Sequence, residues 1–202
     1  MHGEKGVTAP MTLALAFVLL LLTVPLFGGR LSRLETVRLR WLWLAFLAFG
    51  VQVVLVTVVP EGDTGLHRIL HLATYALVGA CVVRNLDLRF LWVVALGGLL
   101  NLVAIVANGG VMPASRGALA TAGLDVRSDS FANSDAVDDA RLAFLGDVFA
   151  IPAGWPGANV FSVGDVVMVL GVFLALHAAA GSRLAGSSRT ALPRSQGSPA
   201  AR

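Results

Sequence analysis

Five unbroken apolar runs constrain this chain more than any other feature. They cover about 11–27, 41–59, 66–83, 90–107 and 163–180, each 17 to 19 residues long. A helix rises about 1.5 Å per residue, so runs of this length suit a hydrocarbon core roughly 30 Å thick. None of them alternates with period two, which excludes the strands of a membrane barrel. A backbone in lipid must then satisfy its own hydrogen bonds as helix. The expected fold is an all-α integral membrane protein, a five-transmembrane-helix bundle. Composition agrees: only 13% of the residues are charged and 56% are hydrophobic, where a soluble domain carries about 25% charge. The length suits a single membrane domain over 1–180. The remainder, 181–202, is rich in Gly, Ser, Ala and Pro and has no acid, so a disordered basic tail is expected there.

The punctuation between the runs supports helices. Pro25 lies in the last turn of the first run, where a missing hydrogen bond costs least. Arginines follow that run rather than precede it, and no A-x-A pattern comes after it. This reads as an uncleaved helix and not a signal peptide, with Met11 an alternative start to Met1. Trp41 and Trp43 open the second run, as interfacial anchors do. The single cysteine, Cys81, lies inside the third run as a core residue, so no intrachain disulfide and no cysteine-based metal cluster can form.

Charge sets the expected orientation. With the N-terminus outside, the inner segments 28–40, 84–89 and 181–202 hold ten of the 15 Lys and Arg residues and only two acids, Glu35 and Asp87. That gives +8 inside and −5 outside, as the positive-inside rule requires. The expectation is a multi-pass protein of the bacterial plasma membrane, C-terminus cytoplasmic, with the lipid bilayer as its first partner. A sequence pI near 10 would suit nucleic acid in a soluble protein. Here the arginines flank apolar runs, so they read as topology determinants and no nucleic-acid partner is expected.

Between the fourth and fifth runs lies the only long polar segment, residues 108–162, placed outside by this topology. A connection of 55 residues needs structure or function of its own. Asn108-Gly109-Gly110 is a turn signal and Pro113 cannot continue a helix. Ser115 to Leu124 reads as a short helix capped by Ser115 and ended by Gly123. Asp125 to Asp139 is polar and expected to be mobile. From Arg141 the chain becomes apolar again, with Leu142, Phe144, Leu145, Val148, Phe149, Ile151 and then Trp155. The segment 142–155 is expected to pack back on the bundle or to lie in the membrane interface.

Three motifs in this region carry a resemblance. Asn-Gly-Gly-x-Met-Pro at 108–113, Arg-Leu-Ala-Phe-Leu-Gly-Asp at 141–147 and Asn-Val-Phe-Ser-Val-Gly-Asp at 159–165 occur in order. The chain from about Met11 to Ala180 thereby resembles an uncharacterised family of bacterial multi-pass membrane proteins, domain of unknown function family 5317. That pattern tends to carry Val where this chain has Ala114 and Pro where it has Ala143. The resemblance implies a membrane location and a bundle, and no activity. A shorter stretch, His67 to Tyr75, is similar to the Asp-Lys-x-x-His-x-x-x-Tyr stretch of VanZ-like membrane proteins, with His67 and Arg68 in place of Asp and Lys.

Several polar residues are candidates for chemistry. His67 and His71, at i and i+4, share one helix face and could chelate zinc if a carboxylate such as Asp147 or Asp165 joined them. The bland alternative is that both make interhelical or interfacial hydrogen bonds. Gln52 and Asn101 suit hydrogen bonds across helices, or else a substrate path. His177 is expected at the interface. Gly97-Gly98, Gly164 and Gly171 suit close helix contact. Ser162 and Asp165 form a capping-box pattern at the start of the fifth run, where the carboxylate needs the helix amides or a partner such as Arg141 or His71. No nucleophile elbow, P-loop, HExxH or dinucleotide fingerprint occurs, so no cofactor is expected. No Lys, Arg, Asp or Glu lies deep in a run, which disfavours ion-coupled transport.

Two readings follow. In the first, a non-enzymatic envelope protein uses its outer loop to cap the bundle and dock a lipid, or a membrane or envelope protein partner. In the second, an envelope enzyme or binding protein uses His67, His71, Asp147 and Asp165 around a polar site under the loop, with His71, Asp147 and Asp165 as its catalytic candidates. Convergence of those side chains separates the two.

Overall fold

The computed structural model describes residues 8–55, 65–124, 134–137 and 139–185, without the side chains of 8–14, 134 and 135. The segments 56–64, most of 125–139 and the tail beyond 185 lie outside the described residues, and with them the end of the second apolar run, the mobile acidic segment and the disordered tail expected from sequence.

The chain is mostly helical. Five helices answer to the five apolar runs: α1 Thr8–Leu26, α2 Leu42–Val53, α3 Gly65–Arg84, α4 Leu91–Ala107 and, after a short α5 at Arg116–Ala122, α6 Val163–Ala179. By length and composition α3, with 20 residues, can cross a membrane; α2, α4 and α6 are apolar but shorter. Their packing runs in the order α2, α3, α4, α6, α1.

Four of the helices end in the same way. After α1, α4, α5 and α6 a glycine (Gly28, Gly109, Gly123, Gly181) takes positive φ, between 66° and 74°. The amide of the next residue then bonds back to the carbonyl of Val24, Ile105, Leu119 or His177, at 2.9–3.0 Å. This closes the orphan carbonyls of each last turn, and only glycine enters that conformation without strain.

The tightest contact joins α4 and α6. A Cβ placed on Gly97 would stand 2.5 Å from the Gly164 carbonyl oxygen, and one on Gly171 would stand 2.6 Å from the Val94 nitrogen. A Cβ on Gly164 would overlap the Asn101 side-chain oxygen. Gly98 differs from its neighbour: its Cβ would meet only Met168 Sδ, at 3.9 Å.

At the arginine-rich end, Asn85 just past α3 holds the preceding connection. Its Oδ1 accepts from Arg40 N, and its Nδ2 donates to the carbonyls of Arg40 and Cys81, each at 2.7 Å. A side-chain amide thus stands in for a backbone partner, which places it at 2% exposure. Trp41 and Phe90, which precede α2 and α4, both take positive φ, 58° and 69°, an uncommon and strained setting for bulky residues. A guanidinium covers each ring: Arg84 lies 5.9 Å over Trp41 and Arg89 lies 4.7 Å over Phe90. Cys81 is buried here, as expected.

His177 is a correction. It was expected at the interface and is instead fully buried between Phe27 and Phe173. The Thr23 hydroxyl donates to the Leu20 carbonyl, so His177 Nε2 donates to Thr23 Oγ1 at 3.0 Å. Nδ1 then accepts from Ser182 Oγ at 2.8 Å. Ser182 is the residue after Gly181, so the helix-ending turn itself carries the hydroxyl to the imidazole.

The opposite end carries a folded cap made from the long connection. The sequence anticipated α5, with Ser115 Oγ accepting from Ala118 N. It did not anticipate two strand pairs. β1 (Met112–Pro113) runs parallel to β2 (Ser134–Asp135), and β3 (Phe149–Ile151) forms an antiparallel hairpin with β4 (Asn159–Phe161), where Phe149 stacks on Phe161. Asp147 bridges to this layer by its main chain, its N–H to the Pro113 carbonyl at 2.9 Å and its carbonyl to Ser115 N–H at 3.0 Å. The apolar half of the connection divides its side chains. Leu145 packs on Ala104, Ile105 and Met112, while Phe144 and Trp155 remain about two-thirds exposed.

Candidate functional site

Buried polar side chains collect where the cap meets the helices, on α2, α3, α4 and the start of α6. Three devices fix them.

The first is the start of α6. Ser162 Oγ accepts from Asp165 N at 3.0 Å, and Asp165 Oδ2 accepts from Ser162 N at 2.9 Å, a complete capping box with Asp at its third position. The structure adds a partner from another helix. Asn101 Nδ2 donates to Asp165 Oδ1 at 2.8 Å, and the Ser162 hydroxyl lies 2.8 Å from both Asn101 Oδ1 and Asp165 Oδ2, so its one proton is shared by two acceptors. Both carboxylate oxygens are therefore occupied. Arg141 and His71, the partners considered from sequence, are not the ones used. Gly164 makes the arrangement possible, because any Cβ there would take the place of the Asn101 oxygen.

The second device joins α2 to α3. Gln52 Nε2 approaches His71 Nδ1 at 2.8 Å and donates to Thr74 Oγ1 at 2.9 Å, while Thr74 Oγ1 donates to the His71 carbonyl at 2.6 Å. Nδ1 of His71 is then an acceptor, and the ring proton resides on Nε2. Gln52 and Asn101 thus both bond across helices, the expected role of amides in such positions.

The third device is Asn108, which ends α4. Its Oδ1 accepts from Arg141 N at 2.9 Å, and its Nδ2 donates to the carbonyls of Arg141 and Ala104 at 2.8 Å. This repeats the Asn85 arrangement at the other end of the bundle. The Asn-Gly-Gly motif now has a complete account: Asn108 clamps the cap, Gly109 turns the chain, and Gly110 at φ 98° leaves room for Arg68, whose Cβ would stand 3.1 Å from an added Cβ.

Tyr75 flanks His71, its ring meeting the imidazole edge-on at 5.4 Å between centroids. His67 and His71 are buried one turn apart on α3, Asp147 is buried in the cap, and Asp165 sits in the capping network at the start of α6. Sequence reasoning did not pair Tyr75 with His71, although its spacing of four was the available signal. Among the described residues no three His, Cys, Asp or Glu side chains gather as a metal ion would require.

Apolar helices with a folded cap over a buried polar layer define a helical-bundle class of fold. Within it the chain belongs to the family of unknown function DUF5317, whose profile matches residues 36–177, more than half of the chain and all three cap motifs. No curated protein and no solved structure matches it. Those comparisons give the shorter likeness over His67 to Tyr75 no support.

Proposed function

We propose that this is a multi-pass plasma-membrane protein without enzymatic activity. The described parts of its 108–162 connection form an outer cap that presents a surface to lipid or to another envelope protein. The observation that carries this reading is the occupancy of Asp165: each carboxylate oxygen already accepts a hydrogen bond within the fold, and Ser162 and Asn101 are spent on the same network. Those bonds are the ones a carboxylate makes when it caps a helix and ties it to a neighbour. The membrane reading has its own support. Only 22% of the α3 window is buried, which supports a lipid-facing helix over the core helix of a soluble protein. Large apolar side chains such as Trp43, Phe46, Leu22 and Val106 are more than half exposed on the other helices, far more than a soluble surface carries in contiguous patches.

One observation favours a second reading, a binding site under the cap: His67, His71 and Asp147 are all buried polar side chains.

Topology is testable with single cysteines, because Cys81 is buried. Ala120→Cys, on the exposed face of α5, should react with a membrane-impermeant thiol reagent in intact cells. Leu184→Cys, past α6, should react only after permeabilisation. The reverse pattern would overturn the orientation, and equal labelling of both in intact cells would overturn the membrane reading.

A further inference from the structure

The ends of α1 and α6 are crossed by two main-chain bonds. Arg30 N donates to the Ala180 carbonyl, and Arg183 N donates to the Phe27 carbonyl, both at 3.0 Å. Each chain end thereby carries an arginine onto the other. The Arg33 guanidinium lies against Gly181, and the Arg183 guanidinium lies 3.4 Å from where a Gly28 Cβ would stand. Three arginines from two distant segments are thus held by backbone bonds at one corner of the bundle. Among the described residues no ion pair ties them to a carboxylate, whereas Arg40 is paired with Asp87 at 3.6 Å. Around them the surface turns apolar: Leu26 is 80% exposed, and Leu31 and Leu184 are about half exposed. Positive charge fixed beside exposed leucines at the end of apolar helices matches one kind of molecule, with an anionic head and hydrocarbon tails.

We infer that Arg30, Arg33 and Arg183 form a headgroup site for an anionic phospholipid of the cytoplasmic leaflet, with Leu26, Leu31 and Leu184 against its acyl chains. This rests on the membrane reading above. The three charges would meet the phosphate, and they exceed the partial negative charge, about −0.5 each, of the α1 and α6 ends at the same corner. Glycine at 181 is needed twice over, for the helix-ending turn and for room beneath the Arg33 guanidinium.

The test uses the full chain in nanodiscs of phosphatidylcholine with or without phosphatidylglycerol, read by native mass spectrometry of retained lipid and by melting temperature. Phosphatidylglycerol should be retained over phosphatidylcholine by roughly tenfold or more, and should raise the melting temperature. Arg33→Gln/Arg183→Gln should lose both effects while melting like the native chain in phosphatidylcholine alone. Arg33→Lys/Arg183→Lys should keep most of the preference, which guards against a folding defect in the glutamine variant. Arg38→Gln/Arg89→Gln, of equal charge change elsewhere on this face, should keep it too. An unchanged preference in the Arg33/Arg183 glutamine variant, loss in the Arg38/Arg89 control, or full competition by inorganic phosphate would each overturn the site. Failure of the chain to insert into vesicles of any composition would instead sink the membrane reading itself.

Discussion

Replacing Gly164 with alanine should destabilise the protein strongly, although the change adds a single carbon. Helix propensity argues the other way, since alanine in a helix interior is favoured over glycine by about 0.5–1 kcal/mol. Packing decides the sign. The new Cβ would overlap the Asn101 side-chain oxygen and press within 2.7 Å of the Gly97 carbonyl oxygen. Overpacking a tight contact costs roughly 1–3 kcal/mol, and expelling Asn101 would also strip Asp165 and Ser162 of a buried partner, about 1–3 kcal/mol more. Gly98→Ala is the internal control, because its Cβ would meet Met168 Sδ at an ordinary 3.9 Å. Thermal melting in detergent should fall by many degrees for Gly164→Ala and be unchanged or raised for Gly98→Ala. Equal behaviour of the two would mean that the α4–α6 contact is looser than described.

Asn101→Leu should be the most damaging side-chain deletion in the buried layer. Leucine fills a similar volume and suits an apolar helix, so burial alone predicts little loss. The loss comes from Asp165, whose Oδ1 would keep its charge and lose the Asn101 Nδ2 donor at 2.8 Å. A buried polar group left without its partner costs about 1–3 kcal/mol, more when it is charged. Removing both members should cost less than the two single losses added together, because neither side chain is then left without the other, while the Ser162 N–H loses its acceptor whenever Asp165 is replaced by leucine. The prediction is therefore a positive coupling in the double variant Asn101→Leu/Asp165→Leu, measured by melting. Simple additivity would show that the two side chains do not act as one unit.

The helices were legible because their signals are local. Apolar runs, the glycines that end α1, α4, α5 and α6, and the Ser162–Asp165 spacing each act within one or two turns, so the capping box and α5 could be read directly. The cap's strands were not legible, since two- and three-residue strands carry no period and are held by partners such as Pro113 and Asp147, 34 positions apart. The buried network was half legible. Asp165 plainly needed a partner, but Asn101 lies on another helix 64 positions away, and nothing local pairs them. His177 misled for a related reason: a histidine near a helix end reads as interfacial unless Thr23, 154 residues earlier, is known to receive it.

The claim that Asp165 holds the fold and performs no chemistry is tested most directly by Asp165→Asn. The amide oxygen can still accept from Ser162 N–H and its hydroxyl. If the Asn101 amide turns over, its oxygen can accept from the new NH2 group while its own NH2 faces Ser162 Oγ, so every group again has a partner. Melting of the solubilised variant and growth of a deletion strain complemented with it under envelope stress should be measured side by side. The account predicts a small fall in melting temperature and growth that tracks the amount of folded protein. Native melting together with lost complementation would contradict it, and would place the chemistry of this protein at Asp165.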